Sequence, residues 1–161
     1  MKYPPEIAYS KLVDWCNKAE RCRFDLIRKL KVWGADGPFI ETCLGRLSNS
    51  NLFDDARFAS AFANDKSTIQ RWGAQKIRMH LRSRGILDEY IQDALTRLEP
   101  ETQQLQIREL ASRKWPAMKG KNDYERTSKL IAFLMRKGFS YEDIKRELAN
   151  KHEWPDDINL L

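Results

Sequence analysis

The chain has 161 residues, 42% of them hydrophobic and 32% charged, and a formal net charge of +6. It holds no run of about 18 apolar residues, so a transmembrane helix is not expected, and the opening MKYPPEIAYS lacks the apolar core and small-residue site of a secretory signal. The expectation is a cytoplasmic protein whose basic balance favours an anionic partner, either nucleic acid or an acidic protein surface.

The elements read as nine helices in three groups of three. The first helix is predicted over about Ala8 to Ala19, with Leu12, Trp15, Cys16 and Ala19 on one face. The second runs from about Arg23 to Trp33 and is stopped by Gly34. Asp36 is placed to cap a third helix that carries Phe39, Ile40, Cys43, Leu44 and Leu47, with Pro38 in its first turn. Asp54 or Asp55 caps the fourth helix, whose Phe58 and Phe62 are assigned to the core. A loop from Thr68 to Gly73 precedes the fifth helix, about Ala74 to Arg84, which stops at Gly85. Asp88 is expected to cap the sixth helix and Pro100 to close it. The seventh spans about Glu101 to Trp115, and Pro116, Gly120 and Asn122 mark a linker. The eighth covers about Tyr124 to Lys137. Ser140 with Asp143 forms an approximate capping box for the ninth, about Tyr141 to Lys151. No regular structure is expected from Trp154 to Leu161.

One pattern recurs in all three groups. Leu26, Ile77 and Leu130 stand eight residues before Gly34, Gly85 and Gly138; Leu30, Leu81 and Leu134 stand four before. Ile40, Ile91 and Ile144 follow six after, and Leu44, Leu95 and Leu148 ten after. The glycines are 51 and 53 residues apart (85 − 34 and 138 − 85). A constant period near 50 residues marks a repeat protein that works through an extended surface rather than a catalytic pocket. The expected fold is all-α: tandem three-helix repeats in an elongated curved array. Expected boundaries are 1–50, 51–100 and 101–152, with a tail over 153–161. A lone unit of about 50 residues buries too little surface for comfortable stability, so neighbours must share burial.

The charges concentrate on the middle helix of each group. Arg71, Lys76, Arg78, Arg82 and Arg84 lie in one stretch without an acid. Arg21, Arg23, Arg28, Lys29 and Lys31 face only Asp25, and Arg126, Lys129, Arg136 and Lys137 face none. The third helices hold many of the acids, among them Glu41, Asp88, Glu89, Asp93, Glu142, Asp143 and Glu147. Repeats stacked in register would bring the basic helices to one face, suited to phosphate or to an acidic groove. The bland alternative is a solvated face complementing helix dipoles. Candidate contacts are Arg28, Lys29, Lys31, Arg71, Lys76, Arg78, Arg82, Arg84, Lys129, Arg136 and Lys137. Trp33 and Trp72 are the candidates for stacking bases, weighed against packing at repeat junctions.

Catalysis finds little support. His80 sits in a basic run without a carboxylate to orient it, and Asp54-Asp55 reads better as helix capping than as an acid–base pair. Cys16, Cys22 and Cys43 form no CxxC pair and lie far in sequence from His80 and His152, so reduced, packed thiols are expected rather than zinc. No cofactor, metal or small-molecule substrate is expected.

The segment Leu52-Phe53-Asp54-Asp55-Ala56-Arg57-Phe58-Ala59 resembles the LDDxRFA signature of the RecX family of regulatory proteins. Gly73-Ala74-Gln75-Lys76-Ile77-Arg78, with Leu81 and Gly85-Ile86, is similar to that family's GxxKIRxxLxxKGI segment, and the run from Lys129 to Leu148 is also similar. The likeness covers roughly residues 8 to 150. The first repeat diverges, reading RCRFDL from Arg21 where the family often has RxHSxxEL. The resemblance implies a non-enzymatic regulator that binds the RecA recombinase filament on single- or double-stranded DNA and inhibits ATP hydrolysis and strand exchange; the chain is expected to be a monomer. Two other readings stay open: a stand-alone DNA-binding protein of helix-turn-helix type, and a scaffold for another acidic protein.

Overall fold

The computed structural model describes residues 1–149. The expected end of the ninth helix at Lys151, His152 and the expected tail all lie outside the described residues. Within them the chain forms α1 (Pro5–Lys18), α2 (Arg23–Val32), α3 (Gly37–Asn49), α4 (Asp55–Thr68), α5 (Ala74–Arg82), α6 (Asp88–Thr96), α7 (Pro100–Lys114), α8 (Asp123–Lys137) and α9 (Tyr141–Ala149). A short 3-10 turn, Trp115–Ala117, follows α7. The described residues contain no strand, and the helices follow one another as three-helix repeats in tandem.

Local chemistry sets most helix starts. Asp36 accepts the Phe39 N–H at 2.9 Å, Asp54 the Arg57 N–H at 2.8 Å and Asn122 the Glu125 N–H at 2.9 Å. Each satisfies a donor that the first helical turn leaves without a partner. Ser140 Oγ accepts the Asp143 N–H at 3.0 Å and donates to Asp143 Oδ2 at 2.6 Å, so the expected pairing holds in a shortened form of the capping box. Three boundaries differ from expectation. The first helix begins at Pro5, because proline's fixed φ and missing N–H suit the first helical position. For the same reason Pro100 opens α7 instead of closing the sixth helix. Asp88 is the first residue of α6, which leaves the cap position to Leu87, and its carboxylate accepts Arg82 Nε at 2.9 Å.

The repeated pattern is the buried set. All twelve of its apolar positions are buried, the most exposed being Leu95 at 8%. Burying an aliphatic side chain of this size contributes about 1.5–3 kcal/mol before entropy is counted. The three glycines after α2, α5 and α8 have φ of +75°, +70° and +100°, a conformation that costs a residue with a Cβ about 1 kcal/mol or more.

By internal contacts the chain divides into two units. One comprises Met1–Phe62 with His80–Ala94; the other comprises Ala63–Met79 with the chain from Leu95 onward. In the first unit, α1, α2 and α3 enclose Leu12, Leu26, Leu30, Cys43, Leu44 and Leu47, with Leu52 and Phe53 packed against that core. Cys16, Cys22 and Cys43 are free and buried, and burial pushes the Cys22 thiol up to about 12. Since the thiolate is the reactive form, the native protein should give almost no colour with Ellman's reagent. Unfolding in guanidinium should release three thiols per chain. A fast-reacting native thiol would contradict this packing.

In the second unit, α7, α8 and α9 surround Ile107, Leu110, Trp115, Leu130, Leu134 and Ile144. The last turn of α8 meets the first turn of α5 end to end. Gly73 N–H donates to Lys137 O at 2.8 Å and Gln75 N–H to Gly138 O at 3.1 Å. The orphan donors of one helix thus meet the orphan acceptors of the other. Two polar links also cross this unit, the first buried and the second half-buried. Gln106 Nε2 donates to Ser67 O at 3.1 Å, and Arg108 Nε donates to Glu147 Oε1 at 2.6 Å.

Candidate functional site

The resemblance-bearing motifs resolve first into structural roles. Asp54 caps its own helix, whereas Asp55 Oδ1 accepts the Arg23 N–H at 2.8 Å and so caps α2 from outside. Two adjacent carboxylates therefore serve two different helix starts. Arg57 donates through Nε to Glu20 at 3.0 Å and through Nη1 to the Asn51 side chain at 2.6 Å. Phe58 and Ala59 are buried. Phe62 is only half-buried, with its ring 5.6 Å from that of Phe58 and the Arg84 guanidinium 5.3 Å from its centroid. In the second motif, a Cβ at Gly73 would run into the backbone of Gly138 and Phe139, which is why that position carries none.

The basic candidates fall into distinct environments. Within the first unit, Arg84 is largely covered; its Nε lies 3.7 Å from Asp25 and its Nη1 donates to His80 O at 3.2 Å. Arg82 pairs with Asp88. Arg28 and Lys31 are exposed and, among the described residues, have no ion pair. Lys29 lies over the rings of Trp15 and Trp33, 4.4 and 5.5 Å from their centroids. Within the second unit, Arg71 adopts φ +54° and pairs with Glu109 at 3.3 Å. Lys129 pairs with Glu125 and donates to Lys119 O, both at 2.9 Å. Lys137 donates to Gln70 O at 3.2 Å. Lys76 covers Trp72, 4.4 Å from the ring centroid, with Lys66 also over that ring at 5.0 Å. Arg78 is half-buried, while Arg136 is exposed and without an ion pair among the described residues. Lys129 and Lys137 thus brace the fold, as does Arg126, which donates to the carbonyls of Met118 and Trp115 at 3.1 and 3.3 Å and ties the linker to α8.

Sequence reasoning missed Trp15 as a surface ring. It is half-exposed, and the Arg21 guanidinium lies 4.2 Å from its centroid. Trp33, a stacking candidate, is 9% exposed and meets Tyr3 edge to face at 5.2 Å. These rings border a groove of about 360 Å³ reached by Lys11, Lys18 and Lys29. Only the helical offset of four between Trp15 and the N-terminal Lys11 hinted at such a grouping. Among the described residues no cluster of three or more His, Cys, Asp or Glu is placed to hold a metal. No helix among them is long and apolar enough to cross a membrane.

Comparison with known proteins identifies the architecture. Residues 54–95 match the model for the second three-helix domain of RecX, and residues 101–148 the model for the third. A "Regulatory protein RecX" of Prosthecochloris aestuarii is 30% identical over 141 residues, spanning 88% of this chain and 91% of its own length. The chain belongs to the RecX family. A RecX of Limosilactobacillus reuteri (strain DSM 20016) is 32% identical over 157 residues, covering 96% of this chain, which in turn spans 60% of that relative's length. A crystal structure of a regulatory protein RecX superposes with a TM-score of 0.78 at 32% identity, covering 88% of this chain and 73% of the other. RecX relatives are thus named as regulators, and the tandem three-helix repeat is their shared fold.

Proposed function

We propose that this chain is a monomeric, cytoplasmic, non-enzymatic regulator that binds the RecA recombinase filament on DNA and inhibits its ATP hydrolysis and strand exchange. The regulatory name of its relatives supports the general role. The observation that carries the contact surface is that Arg28, Lys31 and Arg136, on the basic middle helices α2 and α8, are exposed and have no ion pair among the described residues. Such cations remain available to phosphate or to carboxylates on a partner. Lys29 would add to the contacts of the first unit, and Lys76 and Arg78 to those of the second, with one basic helix in each of the repeats over 1–50, 51–100 and 101–152. Arg84 is a poor probe of it, since its side chain is packed against Asp25 and Phe62.

The test is RecA ATPase on single-stranded DNA with sub-stoichiometric amounts of this protein. The rate should fall. Replacing Arg28, Lys31 and Arg136 together by Glu should raise the amount needed by roughly tenfold or more, taking about 0.5–1 kcal/mol per reversed contact, with unchanged helicity. An unaffected ATPase with wild-type protein would reject the proposal. The cluster of Trp15, Trp33 and Lys29 favours a second reading, a DNA-binding protein that acts alone. That reading requires tight, salt-sensitive binding to bare DNA with no effect on RecA.

A further inference from the structure

We propose that the second unit carries a docking groove for an acidic peptide with a bulky apolar side chain, formed where the first turns of α5 meet the last turn of α8. The groove has a volume of about 640 Å³ and is lined by Gln75, Lys76, Met79, Met135, Arg136 and Gly138. Met79 is 62% exposed and Met135 48% exposed. Neither is used by the core of its own helix, whose buried positions are Ile77 and Leu81 in α5 and Leu130 and Leu134 in α8. Two unbranched thioether side chains bordering one depression form an apolar patch that adapts to the shape of an incoming side chain.

The floor is rigid. It is closed by the hydrogen bonds from Gly73 and Gln75 to the α8 terminus, and a Cβ at Gly138 would collide with Lys76 Cβ and backbone. The rim is basic. Lys76 and Arg136 stand beside the two methionines without a carboxylate in the lining. Methionine and arginine are the residues that interfaces enrich. Charge complementarity therefore selects carboxylates flanking an apolar anchor, which seats between Met79 and Met135. A nucleic acid strand would satisfy the cations but leave the thioethers without an apolar partner. The inference rests on the reading of the basic helices as a partner surface, and it adds an apolar anchor point beside the cations of the second unit.

The experiment uses the full chain and three fluorescein-labelled peptides. One has Asp and Glu around a central Phe-Leu pair, one replaces that pair by Ser-Ser, and one replaces the acids by Lys. Fluorescence anisotropy should show binding of the first peptide only. The Met79→Ser, Met135→Ser double variant should weaken it by about tenfold or more, the scale expected for losing burial of one such side chain, at unchanged helicity. Equal binding by the double variant, by the Ser-Ser peptide or by the Lys peptide would overturn the groove. So would Met-dependent binding of oligo-dT in its place, or no binding of any peptide. The RecA assay separates the two proposals. If wild-type protein inhibits RecA but the double variant binds the acidic peptide as tightly as wild type, the groove fails and the regulatory role stands. If wild-type protein leaves RecA unaffected but binds the acidic peptide through the methionines, the regulatory role fails and the groove stands.

Discussion

Gly73→Ala should lower the melting temperature by roughly 10 °C. The new methyl group would meet the Gly138 carbonyl and the Phe139 nitrogen. These are backbone atoms at a helix end, so they cannot rotate aside as a long side chain would. Overpacking of this kind costs about 1–3 kcal/mol. Relieving it by separation would also weaken the Gly73–Lys137 and Gln75–Gly138 hydrogen bonds, each worth about 0.5–1.5 kcal/mol. A total near 3–5 kcal/mol converts at about 2–4 °C per kcal/mol for a protein of this size. Gly85→Ala is the control. Its φ is +70° but nothing lies within 4 Å of the added Cβ, so only the backbone cost of about 1 kcal/mol remains. Hydrogen exchange should show lost protection at Gln75 in Gly73→Ala and not in Gly85→Ala. Equal, small shifts for both would mean that the helix-end contact contributes little.

Arg108→Ala should destabilise by about 2–3 kcal/mol. Glu147 sits on the buried face of α9 between Ile144 and Leu148, and its side chain is 3% exposed. Removing the guanidinium that donates to it at 2.6 Å takes a charge-assisted hydrogen bond from a carboxylate that is almost fully withdrawn from water. The favourable energy of the pair itself is smaller than this loss, because forming it requires desolvating both charges. The combination Arg108→Leu with Glu147→Leu should therefore recover most of the stability lost by Arg108→Ala. Chemical denaturation of the two variants checks this. An Arg108→Ala midpoint equal to wild type would show that Glu147 remains solvated or finds another donor.

Neither of these two sites was legible in the sequence, although the helical framework around them was. The apolar offsets around the three glycines announced the buried set, because a helix presents residues three and four apart on one side and the chain repeats that register. Asp36, Ser140 and one of Asp54 and Asp55 were also readable as caps, since a cap acts on donors two or three residues away. Gly73 was visible as a loop residue and as the first glycine of the family-like segment, with no physical reason for it in the sequence. Its need to lack a side chain comes from Gly138, 65 positions later (138 − 73). Glu147 read as one acid among several on the third helices, and its burial depends on Arg108 in α7. The second carboxylate of the Asp54-Asp55 pair shows the same limit, for its partner is the Arg23 N–H.

The sequence by itself determined the all-helical repeat, its period, the twelve repeated apolar positions of the core, and the basic character of every middle helix. These follow from local periodicity and composition, which act over one or two turns of chain. Only the tertiary structure decided what each charge does. It committed Arg71, Arg84, Lys129 and Lys137 to internal partners at Glu109, Asp25, Lys119 and Gln70. It left Arg28, Lys31 and Arg136 facing solvent and set Met79 and Met135 around one groove. The physical reason is that a long cation takes whichever acceptor packing brings within about 4 Å, and its own helix does not encode which acceptor that is.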